Sequence, residues 1–449
     1  MNKPSQIILP EAFSRRSFLK TSSAMAGGAL LGALAPERYA HGASATDEIK
    51  IAMVGCGGRG SGAAGQALST YPIGPVKLIA MADIHPDRLE SSLNNLQKTH
   101  AERVDVPKDR QFLGFDAYKK AIELADVVIL STPPGFRPMM FEEAVKQGKH
   151  VFMEKPVASD AAGVRKVLAA AEEAKKKNLK VGVGLQRHHQ AGYIETMKRL
   201  HDGAIGDIVS MRAYWNGQRP WQKKRADLEK MYGRKLTEME YQLRNWYYFT
   251  WICGDHICEQ HIHNIDVINW LKKGHPVKAR AMGGREINHG GSDDGEIYDH
   301  FAVQYEYEDG SISFSEARHQ PGCWNSVSEH AVGTKGHVDI SKHQIFAADN
   351  WRYKAEGAKD PYQQEHDDLF TAIRQNKEYS EAVYGAESTM TAILGRMAAY
   401  SGKEIEWSKA LASKIELLPE KLAFDAEPKV KPGPDGLYPR AIPGQTEVL

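Results

Sequence analysis

A glycine-rich loop that follows a short apolar strand constrains the fold of this chain more than any other feature. Residues 50–54, KIAMV, lead into Gly55, Gly57 and Gly60 at the spacing GxGxxG. Glycines at this spacing permit a tight turn and let a pyrophosphate approach backbone N–H groups at a helix start. Asp83 ends the next apolar strand, where a carboxylate can accept hydrogen bonds from an adenosine ribose. The sequence therefore predicts an α/β fold with an N-terminal, doubly wound parallel sheet of the Rossmann type.

The same residues bear on the choice of cofactor. A carboxylate at position 83 would repel a 2′-phosphate, which favours NAD over NADP. Arg59 is the opposing signal, because a guanidinium could stack on adenine or contact a 2′-phosphate. We predict NAD, and we assign Gly58 and Arg59 to the cofactor-binding loop together with the three spaced glycines.

Two later strands end in residues that suit a nicotinamide site. One apolar run stops at Thr132 and Pro133, and the next stops at Glu154 and Lys155 before a proline. Ligands of an open parallel sheet bind at the carboxyl ends of its strands, and proline cannot continue strand hydrogen bonding. We therefore expect these four residues at the cofactor, with Lys155 beside the nicotinamide.

Residues 254–266, GDHICEQHIHNID, contain a dense cluster of ionisable side chains. On a continuous helix, Glu259, His263 and Asp266 would share one face and isoleucines would occupy the other. A carboxylate four residues before an imidazole can orient the ring and hold its proton, as general acid–base chemistry requires. A solvated polar helix face is the alternative for this helix considered alone.

The ordered set of motifs resembles the glucose-fructose oxidoreductase / inositol dehydrogenase / MocA family, from about residue 50 to residue 407. The resemblance implies a Rossmann domain followed by an α/β domain on an open, mainly antiparallel sheet, and hydride transfer from sugar-like substrates. It places the family's lysine on Lys155 and its acid–base pair on Glu259 and His263. Glu259 departs from the family's usual aspartate at that position.

A mechanism follows from these assignments. His263 would take the proton of a substrate hydroxyl, oriented by Glu259, while Lys155 would stabilise the developing alkoxide. The candidate substrate-binding residues are Arg187, His188, Trp246 and Asp266.

An aromatic-rich insertion is expected at residues 215–253. Planar aromatic rings offer faces for sugar rings, and a segment of this length is typical of a lid. An arm that covers the sheet or a partner subunit is an equal alternative.

Other classes of protein and site are disfavoured. The formal net charge of +1 argues against a nucleic-acid-binding protein. The histidines of residues 255–263 raise the question of a metal, but neither HExxH nor facial-triad spacing is present. His261 would project to the apolar side of the helix, so we predict a hydrogen-bonded core histidine and no metal site.

The N-terminus resembles a twin-arginine export signal, with SRRSFLK at residues 14–20, an apolar run at residues 24–35 and ASA at residues 43–45. We expect a periplasmic protein exported by the twin-arginine translocase, with an uncleaved anchor as the alternative. No reliable pool of nicotinamide exists outside the cytoplasm, so the cofactor should stay bound and be recycled internally.

The predicted organisation consists of a signal (1–45), a Rossmann domain (46–184), a substrate domain containing the insertion (185–350), C-terminal helices (351–416) and a tail (417–449). We expect a homo-oligomer that forms through the open sheet. Three functions remain open: a sugar oxidoreductase with tightly bound cofactor, a redox-neutral glycoside hydrolase using transient C3 oxidation, and a noncatalytic nucleotide- or sugar-binding protein.

Overall fold

A six-stranded parallel sheet and a nine-stranded mixed sheet form the framework of the described residues. The computed structural model describes residues 47–286, 291, 293–355 and 357–449. The predicted export signal, residues 1–45, lies outside this range. Within it, no helix combines the length and the apolarity needed to cross a membrane.

The parallel sheet carries the glycine loop. Its strands are β1 (Ile49–Val54), β2 (Val76–Asp83), β3 (Gln111–Leu113), β4 (Val127–Leu130), β5 (His150–Met153) and β6 (Val181–Val183). The strand order β3-β2-β1-β4-β5-β6 is that of a doubly wound dinucleotide-binding sheet. Every residue of β4 and β5 is buried, because helices cover both faces of the sheet.

The helices of this half are α1 (Gly58–Leu68), α2 (Pro86–His100), α3 (Ala117–Leu124), α4 (Arg137–Lys146) and α5 (Ala161–Lys176). Apolar residues of α1 and α2 form one core layer with β1 and β2, and those of α3, α4 and α5 form the layer on the opposite face. The predicted Rossmann architecture is confirmed.

The second sheet is mixed. Its strands are β7 (Ile208–Gly217), β8 (Lys278–Gly284), β9 (His300–Glu306), β10 (Ile312–His319), β11 (Ser326–Gly333), β12 (Gly336–Asp339), β13 (Gln344–Phe346), β14 (Trp351–Arg352) and β15 (Ile405–Glu406). All neighbouring strands pair antiparallel except β7 and β10, which are parallel. The predicted open, mainly antiparallel sheet is confirmed.

The remaining helices follow β6 in the chain. They are α6 (Ala191–His201), α7 (Arg225–Tyr232), α8 (Glu238–Arg244), α9 (Thr250–Cys253), α10 (His256–Glu259), α11 (Ile262–Lys272), α12 (Pro361–Arg374), α13 (Ala382–Ser401) and α14 (Trp407–Leu411). Helix α12 returns to the parallel sheet, where Leu369 and Phe370 join the core layer of α1 and α2. The C-terminal segment, residues 417–449, has no helix or strand, yet Tyr438 within it is buried.

Candidate active site

A cavity of about 720 Å³ lies where the carboxyl ends of the parallel strands face the second half of the chain. It collects every residue that the sequence assigns to the cofactor, namely Gly55, Gly57, Gly58, Arg59, Gly60, Asp83, Thr132, Pro133, Glu154 and Lys155. Glu259, His263 and Trp246 line the same cavity. The structure therefore brings together the glycine loop and the predicted acid–base residues, although they are about 200 positions apart in the sequence.

The glycine loop needs its glycines for steric reasons. Gly55 has φ +93°, a backbone conformation that L side chains rarely adopt. A Cβ on Gly60 would lie 2.0 Å from the carbonyl oxygen of Gly55, so only glycine fits there. Helix α1 starts at Gly58 with no side-chain cap, which leaves its first backbone N–H groups free for a phosphate. These features fit a pyrophosphate.

Asp83 is held at the end of β2 by two backbone donors. Its Oδ2 accepts from the N–H of Cys56 at 2.6 Å, and its Oδ1 accepts from the N–H of His85 at 2.7 Å. Burial raises the pKa of this carboxyl, and the backbone donors oppose that shift. Each oxygen retains a further lone pair, so the carboxylate can accept hydrogen bonds from ribose hydroxyls.

Arg59 points away from the adenosine end. Its guanidinium donates to Glu154 at the end of β5, and to Glu365 at 3.0 Å. Three strand spacings, about 14 Å, separate the end of β2 from the end of β5. The guanidinium is therefore paired near the expected nicotinamide site. In this position it does not contact a 2′-phosphate on the adenosine ribose, so it gives no support to NADP.

Lys155 joins the two halves of the site. Its ammonium donates to the backbone carbonyl of Glu259 and lies 3.3 Å from Glu259 Oε1. The prediction of one continuous helix here is wrong, since α10 ends at Glu259 and α11 begins at Ile262. In a continuous helix the Glu259 carbonyl would bond the N–H of His263, but that N–H bonds the carbonyl of Gln260 at 3.4 Å. The carbonyl freed by the break is the one that Lys155 contacts.

His263 is buried and Glu259 is nearly buried beside this contact. Burial lowers the pKa of His263 well below its usual value, and the charge of Lys155 lowers it further. Burial raises the pKa of Glu259, which Lys155 partly opposes. Among the described residues no hydrogen bond joins Glu259 to His263, so Glu259 positions Lys155 instead of the imidazole. The imidazole is neutral, and its ring stacks near Trp215 at a centroid distance of 5.9 Å.

Arg137 is a site residue that sequence reasoning missed. Its buried guanidinium donates to the carbonyls of Thr132 and Pro156, which ties the loops after β4 and β5 together. Burial lowers its pKa to about 10, so it stays charged at neutral pH. No local pattern marks this arginine, because both of its partners are backbone atoms.

Three predicted substrate-binding residues do not line the cavity. Arg187 donates to Glu329 on β11, a buried carboxylate that also accepts from Tyr193 and Asn264. The guanidinium of Arg187 is nearly buried in this cluster. The positive charge of Arg187 therefore neutralises the buried negative charge of Glu329.

His188 and Asp266 pair with each other. Nε2 of His188 lies 2.8 Å from Oδ2 of Asp266, and Ser388 donates to Oδ1 of Asp266 at 2.8 Å. The His188 ring stacks between Trp270 and Tyr384. Both residues thus join α11 to neighbouring elements outside the cavity.

The insertion contributes directly to the cavity wall. Trp221 and Trp246 of the insertion line it together with Trp215, which gives the cavity an aromatic side. The predicted start of the insertion at residue 215 is wrong, since β7 continues through Trp215 to Gly217. His261 is the predicted core histidine, since it is fully buried and its Nε2 lies 2.6 Å from Ser315 Oγ. Within the described part of the chain, no cluster of three or more His, Cys, Asp and Glu side chains is arranged to hold a metal.

Two family models match the chain. Residues 49–183 match an oxidoreductase family with an NAD-binding Rossmann fold, and residues 193–339 match the GFO/IDH/MocA C-terminal domain. The two matches together span more than half of the chain.

Curated relatives are more distant. A glycosyl hydrolase family 109 protein of Shewanella pealeana is 26% identical over 233 residues, covering 48% of this chain and 48% of that protein. An inositol 2-dehydrogenase of Ralstonia nicotianae is 26% identical over 245 residues, covering 54% of this chain and 60% of that protein. The chain spans about half the length of the curated relatives it matches.

Solved structures share the fold over a longer stretch. An aldose-aldose oxidoreductase from Caulobacter crescentus has a TM-score of 0.62 at 17% identity, covering 80% of this chain and 100% of that one. A levoglucosan dehydrogenase in complex with NADH and levoglucosan has a TM-score of 0.61 at 17% identity, covering 80% and 99%.

The first prediction concerns the glycine loop. Gly60→Ala should weaken NAD binding at least tenfold and destabilise the fold by about 1–3 kcal/mol, because its methyl group overlaps the Gly55 carbonyl. Calorimetric titration with NAD and a denaturant melt measure the two effects. Gly62→Ala in the same helix is the control, since its Cβ meets only ordinary contacts. Equal NAD affinity in both variants would refute the assignment of the loop.

The second prediction separates a structural from a substrate-binding role for Arg187. Arg187→Met leaves Glu329 buried without its cation and should cost about 3–5 kcal/mol of unfolding free energy. Urea denaturation measures this, and adding Glu329→Gln should restore most of the loss. If Arg187→Met alone has unchanged stability and a raised KM, Arg187 binds substrate instead.

Proposed function

The chain belongs to the Gfo/Idh/MocA family of NAD-binding oxidoreductases, and we propose that it oxidises a secondary carbinol of a sugar or sugar derivative by hydride transfer. One observation carries the proposal. The ammonium of Lys155, from the end of β5, and the imidazole of His263, from α11, line the same cavity as the glycine loop. A binding protein has no need of a buried cation beside a neutral base at this place.

The glycine loop and the residues at the carboxyl ends of β2, β4 and β5 would hold the cofactor. Residues 55–60 would receive the pyrophosphate and Asp83 the adenosine ribose, while Thr132, Pro133 and Glu154 would flank the nicotinamide. Bound NAD supplies the hydride acceptor.

The chain's own residues would handle the proton. His263 is neutral at physiological pH, so its ring can accept the proton of the substrate hydroxyl. The ammonium of Lys155 stabilises the negative charge that develops on the same oxygen. Glu259 holds Lys155 in place through its carbonyl and Oε1. Trp215 of β7 and the insertion's Trp221 and Trp246 offer flat apolar faces to a pyranose ring.

A periplasmic location is part of this proposal. The twin-arginine-like segment, which lies outside the described residues, supports export to the periplasm in folded form. There the cofactor would remain bound, and a second carbonyl compound would reoxidise it. Assembly through the open face of the second sheet is part of the same proposal.

A redox-neutral glycoside hydrolase is the second candidate, and the family 109 glycosyl hydrolases among the relatives favour it. In this scheme transient oxidation at C3 acidifies the C2 proton, the glycosidic bond is lost by elimination, water adds and the hydride returns. Incubation with aryl glycosides in heavy water distinguishes the two schemes. Deuterium at C2 of the released sugar supports hydrolysis, whereas a keto product with stoichiometric reduction of an acceptor supports the oxidoreductase.

The third prediction tests the role of Lys155. Lys155→Met should lower turnover on the order of a hundredfold or more while NAD binding persists, because the variant loses the charge that stabilises the alkoxide. Turnover is measured together with NAD released on denaturation, and Lys98→Met, an exposed lysine of α2, is the control. Loss of bound NAD with undiminished turnover per bound cofactor would point to a binding role only.

The fourth prediction concerns pH. The pKa of His263 is depressed, so the acid limb of kcat/KM should lie below the ordinary histidine value of about 6.5. The charge of Lys155 opposes protonation of the ring, and Lys155→Met should therefore move this limb to higher pH. Profiles of the two proteins test this. A wild-type limb at or above 6.5, or identical limbs, would contradict His263 as the base.

A further inference from the structure

An ion pair connects the insertion to the parallel-sheet half of the chain at the adenosine end of the cavity. Arg244, the last residue of α8, donates from Nη1 to Asp87 Oδ2 at 2.9 Å and from Nη2 to Oδ1 at 2.6 Å. Asp87 stands in the first turn of α2, four residues beyond Asp83. The guanidinium is nearly buried, and it also donates to the hydroxyl of Tyr232. Such a two-pronged pair fixes both distance and orientation.

The insertion also faces the ligand space that it closes. Leu243, Arg244 and Lys223 line the cavity together with His85 and Arg88, which follow β2. A segment that belongs to the second half of the chain therefore forms part of the wall where an adenosine would lie.

The C-terminal segment holds the insertion from outside. Gln242 of α8 donates to the carbonyl of Val430 at 2.7 Å, and the hydroxyl of Tyr438 bonds Glu238. Thr237, which caps α8, donates to the carbonyl of Phe424.

The Phe424 ring reaches the other half of the chain. It packs against Phe115 at a centroid distance of 5.1 Å and against His85 at 6.0 Å, and both of these residues line the cavity. The C-terminal segment thus bridges the insertion and the parallel-sheet half at the same end as the ion pair.

We propose that the Arg244–Asp87 pair is a latch that keeps the insertion and the C-terminal segment over the adenosine end of the cavity, so that a bound dinucleotide leaves slowly. The proposal rests on the proposed function, in that it takes the dinucleotide to be NAD. Release requires the insertion to separate from α2, which breaks both hydrogen bonds of the pair. Hydrogen bonding from Arg244 lowers the pKa of Asp87, so the carboxylate stays charged at neutral pH.

The test measures release of the nucleotide and not turnover. Wild type, Arg244→Met and Asp87→Asn are loaded with NADH and diluted into excess NAD, and the loss of bound nicotinamide fluorescence is followed. Both variants should release NADH on the order of tenfold faster, because each loses the two hydrogen bonds that hold the insertion on α2, and losing one partner of a paired charge acts mainly on the dissociation rate. Asp87→Asn changes a half-exposed side chain, so it keeps the test valid if Arg244→Met does not fold.

Arg234→Met is the matched control. Arg234 forms a comparable two-pronged pair with Glu240, but within the insertion itself. Release at the wild-type rate in Arg244→Met and Asp87→Asn would overturn the latch, and so would equally fast release in Arg234→Met. Wild-type protein that is purified without nicotinamide would count against tight retention in the proposed function, whereas the rates after loading would still decide whether the latch exists.

Discussion

The contact between the Lys155 ammonium and the Glu259 carbonyl is the interaction on which the rest of the site depends. It joins the end of β5 to the break between α10 and α11 at the cavity. A buried ammonium needs oxygen partners, and Glu259 supplies two of them from one residue. His263 lies in the first turn of α11, directly after the break that exposes this carbonyl, and its side chain lines the cavity.

The charges around this contact suit a base that must begin unprotonated. Lys155 and Arg187 both disfavour the imidazolium form of His263, and burial acts in the same direction. Two other cations of the cavity are also paired, Arg59 with Glu154 and Glu365, and Arg137 with two carbonyls. Lys155 is paired with Glu259, and its positive charge lies next to the place where negative charge would develop.

Local spacing carried most of what the sequence could predict. The glycine loop, Asp83 and Lys155 each lie at the carboxyl end of a predicted strand. Because the carboxyl ends of parallel strands meet at the same edge of a sheet, recognising the strands was enough to predict that these residues lie close together. The helix break, Arg137 and the Arg187–Glu329 pair depend on partners 19 to 142 positions away, or on backbone atoms, and no periodicity reports such contacts. The same limit applies to Asp266, whose position on a helix face was expected but whose partner His188 was not. The C-terminal segment carries no periodic pattern, although it packs on the insertion.

On the proposed function, this cavity holds NAD and a hydride passes to it from a sugar. The most direct measurement mixes the protein, as purified with its own nicotinamide, with single aldoses, inositols and glycosides and no added cofactor, while near-ultraviolet absorbance is recorded. We expect reduced nicotinamide with at least one compound, approaching one per chain, and none in His263→Gln. Oxidised NAD in every chain that no compound reduces would contradict it.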